Sequence, residues 1–436
     1  MVDMIRLRSL LLLSLLLVFQ AVQAQTLTLE QRLKALPDVY SVKPMESNEF
    51  FKQAWVVMVA QPLDHQHPDK GFFTQRVIVS HLGYDKPVVF ITEGYAGDYA
   101  ATPKYLNELS LVLDANQIFV EHRFFGKSVP DSIDTKWKYL TVENAAADDH
   151  QLVQMFKKIY HDKWISTGIS KGGETCLYHR ALYPKDVDIS VPYVAPLNFS
   201  REERREPAFI EHITGTKEGR EKVAAFQRQV LERRDQLFPM FQTLCDEKKY
   251  TFRIPLEAVY DYCVLEYSFS FWQWGHDIDE IPAPDAPDQE IFDHFVQVSS
   301  PEYFSIEGSK GFLPFFVQAA RQLGYYAYDM KPFADLMTIK STEGYLTRIW
   351  LPKEARFPFS SAMSEKVDKY LRSDARHILL IYGGWDPWSA SAAEAGKNKG
   401  VMKIVKPEGS HRTRIMNLPD NLRQQAIDTL KVWLSE

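Results

Sequence analysis

Between Trp55 and Tyr193 the chain repeats one rhythm: a short apolar run, a break, then a stretch with helical spacing or a loop. Runs of strand length cover Trp55 to Val59, Gln75 to Ser80, Val88 to Thr92, Ile118 to Glu121, Trp164 to Thr167 and Ile189 to Tyr193. Between the fourth and fifth, Leu152, Met155, Phe156 and Ile159 fall on one face of a helix predicted within Thr141 to Tyr160. Strands alternating with helices predict βαβ organisation and an α/β core. From Ser200 to about Leu336 the texture changes. Residues 201–237 are charged and helix-prone, and aromatic-rich stretches follow at Tyr267 to Trp274 and Phe315 to Tyr328. Near His377 the strand pattern returns, at Ile378 to Tyr382 and again at Lys403 to Val405. The pattern therefore predicts an α/β core in two parts, residues 25–199 and 346–436, with a mostly helical insertion over residues 200–345.

The junction after the fifth run carries the first chemistry. Gly168-Ile169-Ser170-Lys171-Gly172 reads G-x-S-x-G, preceded by a strand and followed by a stretch free of helix breakers from Glu174 to Tyr183. That is the strand, tight turn and helix of a nucleophile elbow, where glycines let strand and helix approach closely. A serine between glycines also fits an ordinary structural turn, so the pattern gains force only from its partners.

Two later strand ends supply them. Ile378 to Tyr382 runs into Gly383-Gly384-Trp385-Asp386-Pro387, and Lys403 to Val405 runs into Pro407-Glu408-Gly409-Ser410-His411. Asp386 before a proline could serve only as a turn cap, and His411 is one of 12 histidines. Yet the order Ser170, Asp386, His411 is the nucleophile, acid and base order of α/β-hydrolases. Serine needs a base to take its proton, and the histidine needs a carboxylate to orient it. Asp374 is the competing acid, but it precedes the strand, whereas ligand-facing groups of such sheets sit at carboxyl ends. The oxyanion donors expected from this arrangement are the Lys171 N–H and an N–H of Gly94 or Tyr95, in the loop after Val88 to Thr92. The Lys171 side chain is expected to make a salt link or a surface contact.

The N-terminus adds a location. Arg6 and Arg8 precede an apolar run from Leu10 to Phe19 and then Ala21-Val22-Gln23-Ala24. This reads as a signal peptide (residues 1–24) cleaved after Ala24, so an exported protein without a membrane anchor is expected. Losing two arginines and one aspartate with that segment takes the formal charge from -6 to -7. A mildly acidic chain without basic blocks excludes a nucleic-acid partner. Three cysteines are too few for a disulfide framework, with Cys245 and Cys263 the pair best suited to bridge. No cluster has metal-ligand spacing, and His65-Gln66-His67 reads as a loop feature, so neither metal nor cofactor is expected.

Further segments carry a resemblance. Gln61-Pro62-Leu63-Asp64-His65 with Phe73-Thr74-Gln75-Arg76, the stretch Glu121 to Pro130, the stretch Tyr139 to Asp148 and the pair Gln318 and Gly324 resemble the prolyl carboxypeptidase and dipeptidyl peptidase II family. The elbow departs from it, because Ser170 is followed by lysine rather than tyrosine. Ser170-Lys171-Gly172-Gly173-Glu174-Thr175 is closer to the secreted bacterial tripeptidyl aminopeptidases, a sister family of serine peptidases. That resemblance implies an α/β-hydrolase core with a cap between nucleophile and acid, and peptide substrates cut from a free N-terminus through an acyl-enzyme. A prolyl carboxypeptidase-like or dipeptidyl peptidase-like exopeptidase, or a lipase or carboxylesterase on the same scaffold, are the alternatives. An aminopeptidase must bind an α-ammonium, which a shielded carboxylate does best. Glu93 beside the oxyanion loop and Asp277, Asp279 and Glu280 in the insertion are the candidates.

Overall fold

Nine strands form one mixed sheet in the computed structural model, which describes residues 27–436. The expected signal peptide lies outside the described residues. The strands are β1 (Val39–Met45), β2 (Gln53–Pro62), β3 (Phe72–His81), β4 (Val88–Thr92), β5 (Asn116–Val120), β6 (Trp164–Ile169), β7 (Ile189–Tyr193), β10 (Ile378–Gly383) and β11 (Val401–Lys406). Glu202–Glu203 (β8) and Tyr325–Tyr326 (β9) pair separately. The order across the main sheet is β1-β2-β3-β5-β4-β6-β7-β10-β11.

The parallel half matches the alternating pattern of the sequence: β5, β4, β6, β7, β10 and β11 run side by side in parallel. Its strands read as unbroken apolar runs because both faces are covered, and β4, β5, β7 and β10 are buried throughout. Alternate residues serve opposite faces. Val89 and Ile91 pack with Leu109 and Leu430, whereas Val88 and Phe90 pack with Leu152 and Phe156.

The first strands depart from the βαβ expectation. β2 and β3 pair antiparallel from Gln53↔His81 to Pro62↔Phe72. The intervening loop is too short for a crossover helix, so only a hairpin is open to it. β1, which the apolar pattern did not reveal, pairs antiparallel with β2 at the sheet edge and is nowhere fully buried.

Helix α1 (Val142–Phe156) starts where Thr141 accepts a hydrogen bond from the Asn144 N–H at 3.1 Å. Helix α2 (Lys171–Leu182) follows the elbow. Between β7 and β10 lie α3 (Arg205–His212), α4 (Lys217–Glu232), α5 (Arg234–Lys248), α6 (Leu256–Trp274) and α7 (Asp288–Val298). The aromatic run of residues 267–274 belongs to α6, which is buried around nearly its whole circumference as the centre of the cap. Gly275, at φ +68°, ends it.

Cap and sheet share one apolar cluster, running from Leu177 and Tyr178 of α2 through Phe269 of α6 to Trp350. The expected boundary at residues 345 and 346 falls at the start of a helix, Tyr345–Trp350, whose Trp350 ring stacks on Phe316 at 4.3 Å. Cys176, Cys245 and Cys263 are all buried free thiols, so Cys245 and Cys263 are not bridged.

Cap and core also meet at a buried acid. Glu206 of α3 is fully buried, with the Ser391 hydroxyl and its own backbone N–H as its nearest polar groups. Burial pushes its pKa up to about 7. Between the ordinary carboxylate range and pH 7 the folded state holds a proton that the unfolded state has released, so stability falls as pH rises through that window. Glu206→Gln should therefore raise the thermal midpoint above pH 7 and flatten its decline from pH 5 to 8. The full effect is at most about 3 kcal/mol. Parallel melting curves of both proteins across that range check it.

Candidate active site

The elbow is a crowded backbone junction. Ser170 sits between β6 and α2 at φ +56° and ψ −123°, a conformation few non-glycine residues adopt. Its N–H donates to the Tyr193 carbonyl of β7 at 2.9 Å. A Cβ at Gly172 would lie 2.7 Å from the Thr92 carbonyl oxygen, and one at Gly173 would lie 2.8 Å from Ala195 Cβ. At Gly168 it would overlap the Gly172 carbonyl. These three glycines let β4, β6, β7 and α2 close around the serine.

Asp386 and His411 arrive from the ends of β10 and β11, beyond β7 in the sheet. The Asp386 carboxylate is fully buried and accepts from His411 Nδ1 at 2.7 Å. Its other oxygen accepts from the Trp388 N–H at 3.2 Å. The turn-capping bond is thus present together with the histidine contact. With Nδ1–H donated to a carboxylate, His411 keeps Nε2 as its basic atom. Asp374 lies exposed, its carboxylate engaged by Ser373.

The two loops are strapped together and to the cap. The Trp385 N–H donates to the Gly409 carbonyl at 2.9 Å, and the His411 N–H to the Gln273 carbonyl of α6, also at 2.9 Å. Arg414 donates to the His411 carbonyl at 3.1 Å and the Thr413 carbonyl at 2.7 Å. Gln273 and Arg414 were not legible as site residues, because a backbone acceptor and a carbonyl clamp leave no pattern in sequence. Two apolar groups stay open to solvent here. Ile169 beside the serine is 37% exposed, and Trp274, edge-on to the His411 ring at 6.1 Å, is 44% exposed.

The loop after β4 touches the elbow. A Cβ on Gly94 would lie 2.7 Å from both Gly172 N and Lys171 Cβ. The Tyr95 N–H donates to Glu93 Oε1 at 3.2 Å, and the Gly94 N–H also faces the Glu93 carboxylate. Gly94 lies directly beside Lys171, whose N–H at the first helical position has no intrahelical acceptor. Glu93 is half-buried and also accepts from the Tyr99 hydroxyl. Burial raises its pKa, while Tyr99 and the nearby Lys171 pull it back.

The Lys171 side chain is not at the surface and forms no salt link among the described residues. It is buried and donates to the Gly94 carbonyl at 2.7 Å. Burial pushes its pKa down to about 7, against the pull of Glu174, Glu93 and Asp149. Glu174 and Asp149 in that cluster are themselves raised well above the carboxylate range by burial. Of the cap acids, Asp277, Asp279 and Glu280 are all exposed, and Asp277 caps its own turn through the Asp279 N–H at 3.0 Å.

The motifs behind the sequence resemblance form the wall beneath this loop. Arg123 clamps Asp148 through Nε at 2.6 Å and Nη2 at 2.7 Å, both side chains fully buried. Glu121 pairs with Arg76 and accepts from the Gly97 N–H at 2.7 Å and the Ser128 hydroxyl at 2.8 Å. His65 and His67 bond to Asp148 and Asp64 respectively, at 2.7 and 3.1 Å.

A strained serine at the end of a central parallel strand, with an aspartate–histidine pair after later ones, defines this protein as an α/β-hydrolase. Comparison narrows the class. Residues 22–434 match the family model described as PS-10 peptidase S37, and the chain belongs to that family of serine peptidases. It is 30% identical over 426 residues to the prolyl tri/tetrapeptidyl aminopeptidase of Streptomyces mobaraensis, covering 95% of this chain and 86% of that one. It is also 28% identical over 207 residues to the lysosomal Pro-X carboxypeptidase of Mus musculus, covering 44% and 41% of the two chains.

Asp386→Asn preserves the shape of the pair but removes the charge that holds the Nδ1–H tautomer. The expected loss in kcat is about 10⁴-fold. Peptide turnover compared with an unchanged far-UV spectrum checks it, and a loss below tenfold would assign the orienting role elsewhere.

Proposed function

We propose that this serine peptidase is an exported aminopeptidase that releases short peptides from a free N-terminus through a Ser170–His411–Asp386 triad. The observation that carries the proposal is the bond between buried Asp386 and His411 Nδ1, which leaves Nε2 free to serve the strained Ser170. Ser170 Oγ attacks the scissile carbonyl as His411 Nε2 takes its proton. The oxyanion is held by the N–H groups of Lys171 and Gly94. His411 then gives its proton to the leaving amine, the N-terminal fragment stays on Ser170 as an ester, and water releases it by the reverse sequence.

The choice of end rests on the Streptomyces relative, which this chain covers over most of its length, and on Glu93. Glu93 is the candidate receptor for the substrate ammonium: it is half-buried and next to the oxyanion loop, where the exposed acids of the cap are not. Its raised pKa means that an incoming cation would stabilise a carboxylate now short of positive charge. Ile169 and Trp274 offer apolar surface for the side chains flanking the cut. Proline, named in both relatives, is the first residue to test there. Export rests on the basic and apolar pattern of residues 1–24, and Gln25 as the mature N-terminus is its direct readout.

Ser170→Ala should reduce hydrolysis by about 10⁶ while the protein stays folded. Near-normal turnover by that variant would end the serine-nucleophile reading. A peptide ladder with free N-termini, analysed by mass spectrometry of the released fragments, gives the fragment length.

The end preference has its own test. N-acetylation removes a charge-assisted contact worth about 1.5–3 kcal/mol and strands a carboxylate. Acetylated peptides should be cut at least about tenfold more slowly than their free counterparts. Equal rates would leave carboxypeptidase, endopeptidase or esterase action on the same triad.

A further inference from the structure

We propose that the Lys171 side chain is the positioning residue of the oxyanion site, clamping Gly94 so that both backbone donors are set by one residue. The inference rests on the triad reading of Ser170 and deepens it.

Three observations carry it. Lys171 contributes the N–H that follows the nucleophile, and its own ammonium turns back to the Gly94 carbonyl at 2.7 Å. The stem and head are buried, with the ammonium 5.7 Å from the Tyr95 ring centroid and 5.2 Å from that of Phe125. The two rings flank the ammonium, and the Gly94 carbonyl is the acceptor it reaches. Finally, Gly94 touches the elbow so closely that no side chain fits there.

Glycine at the donor position creates the need for such a clamp. The close approach of loop and elbow demands a residue without Cβ, and that residue is the freest in the backbone. Peptide planarity turns a grip on one atom into a grip on the unit: fixing the Gly94 carbonyl fixes the following plane, including the Tyr95 N–H that Glu93 accepts. The Gly94 N–H belongs to the preceding plane, which lies between this clamped plane and the one pinned by the Glu93 N–H bond to the Val120 carbonyl at 3.1 Å, so both of its neighbours are held. An oxyanion donor displaced by a fraction of an ångström loses much of its effect, because the stabilisation depends on donors already in place when charge develops.

The experiment compares transition-state and ground-state binding in Lys171→Met, which keeps the length and apolar stem of the side chain and removes the donor. Substrate hydrolysis, inhibition by a peptide aldehyde that adds to the serine, and binding of the free product peptide are measured on the full-length mature protein. The expected result is a kcat lowered about ten- to a hundredfold with KM within about twofold. Aldehyde inhibition weakens by the same factor, product binding is unchanged, and Lys171→Arg, which keeps a donor, recovers part of the rate.

A wild-type kcat in Lys171→Met, or a loss shared equally by KM and product binding, would overturn the proposal. If Lys171→Met does not fold, Lys171→Gln and Lys171→Arg decide through the same ratio of aldehyde to product binding. A fluorophosphonate probe on the wild type separates the two layers. Unlabelled wild type defeats the serine mechanism and this role with it, whereas labelled wild type with an unchanged aldehyde ratio defeats only the role of Lys171.

Discussion

Backbone crowding at the elbow is the constraint on which the rest of the site depends. Gly168, Gly172 and Gly173 each lie where an added Cβ would collide with backbone or a neighbouring side chain of β4, β7 or α2. Packing at that distance puts Ser170 in its strained conformation and brings the loop after β4 against Lys171. The strain, of the order of 1–3 kcal/mol, persists because the surrounding strands over-determine the turn. The parallel strands supply that rigidity, since they are hydrogen-bonded on both sides and covered on both faces.

Electrostatics follow from the same crowding. The space behind the elbow is closed to solvent, so Lys171, Glu174 and Asp149 all shift toward their neutral forms for the same reason, burial. Asp386 is also fully buried, but it has the His411 Nδ1–H and the Trp388 N–H as partners. Glu174 and Asp149 each leave a carboxylate oxygen without a hydrogen-bond partner, whereas both oxygens of Asp386 are engaged.

The sequence revealed what depends on spacing. Glycines two residues either side of Ser170 and apolar runs ending at Asp386 and His411 report directly on a strand, its end and the turn beyond it. The parallel strands were legible because burial on both faces makes them uniformly apolar. The hairpin of β2 and β3 was not separated from βαβ units, because its strands are as apolar as crossover strands and only the short loop from Leu63 to Gly71 tells them apart. The side chain of Lys171 was misread for a related reason. Lysine on a helix usually faces water, and nothing local announces that Gly94, Tyr95 and Phe125 enclose this one. Glu206 and Arg414 owe their surroundings to contacts across the cap and the histidine loop, which a linear pattern does not carry.

The hydrogen bond from the His411 N–H to the Gln273 carbonyl joins the loop that carries His411 to the last turn of the cap's central helix. Trp274, the next residue, stands at the rim of the site. A displacement of that helix end large enough to widen the entrance would pull on the loop that carries His411. The position of the His411 loop is therefore tied to the position of that helix end.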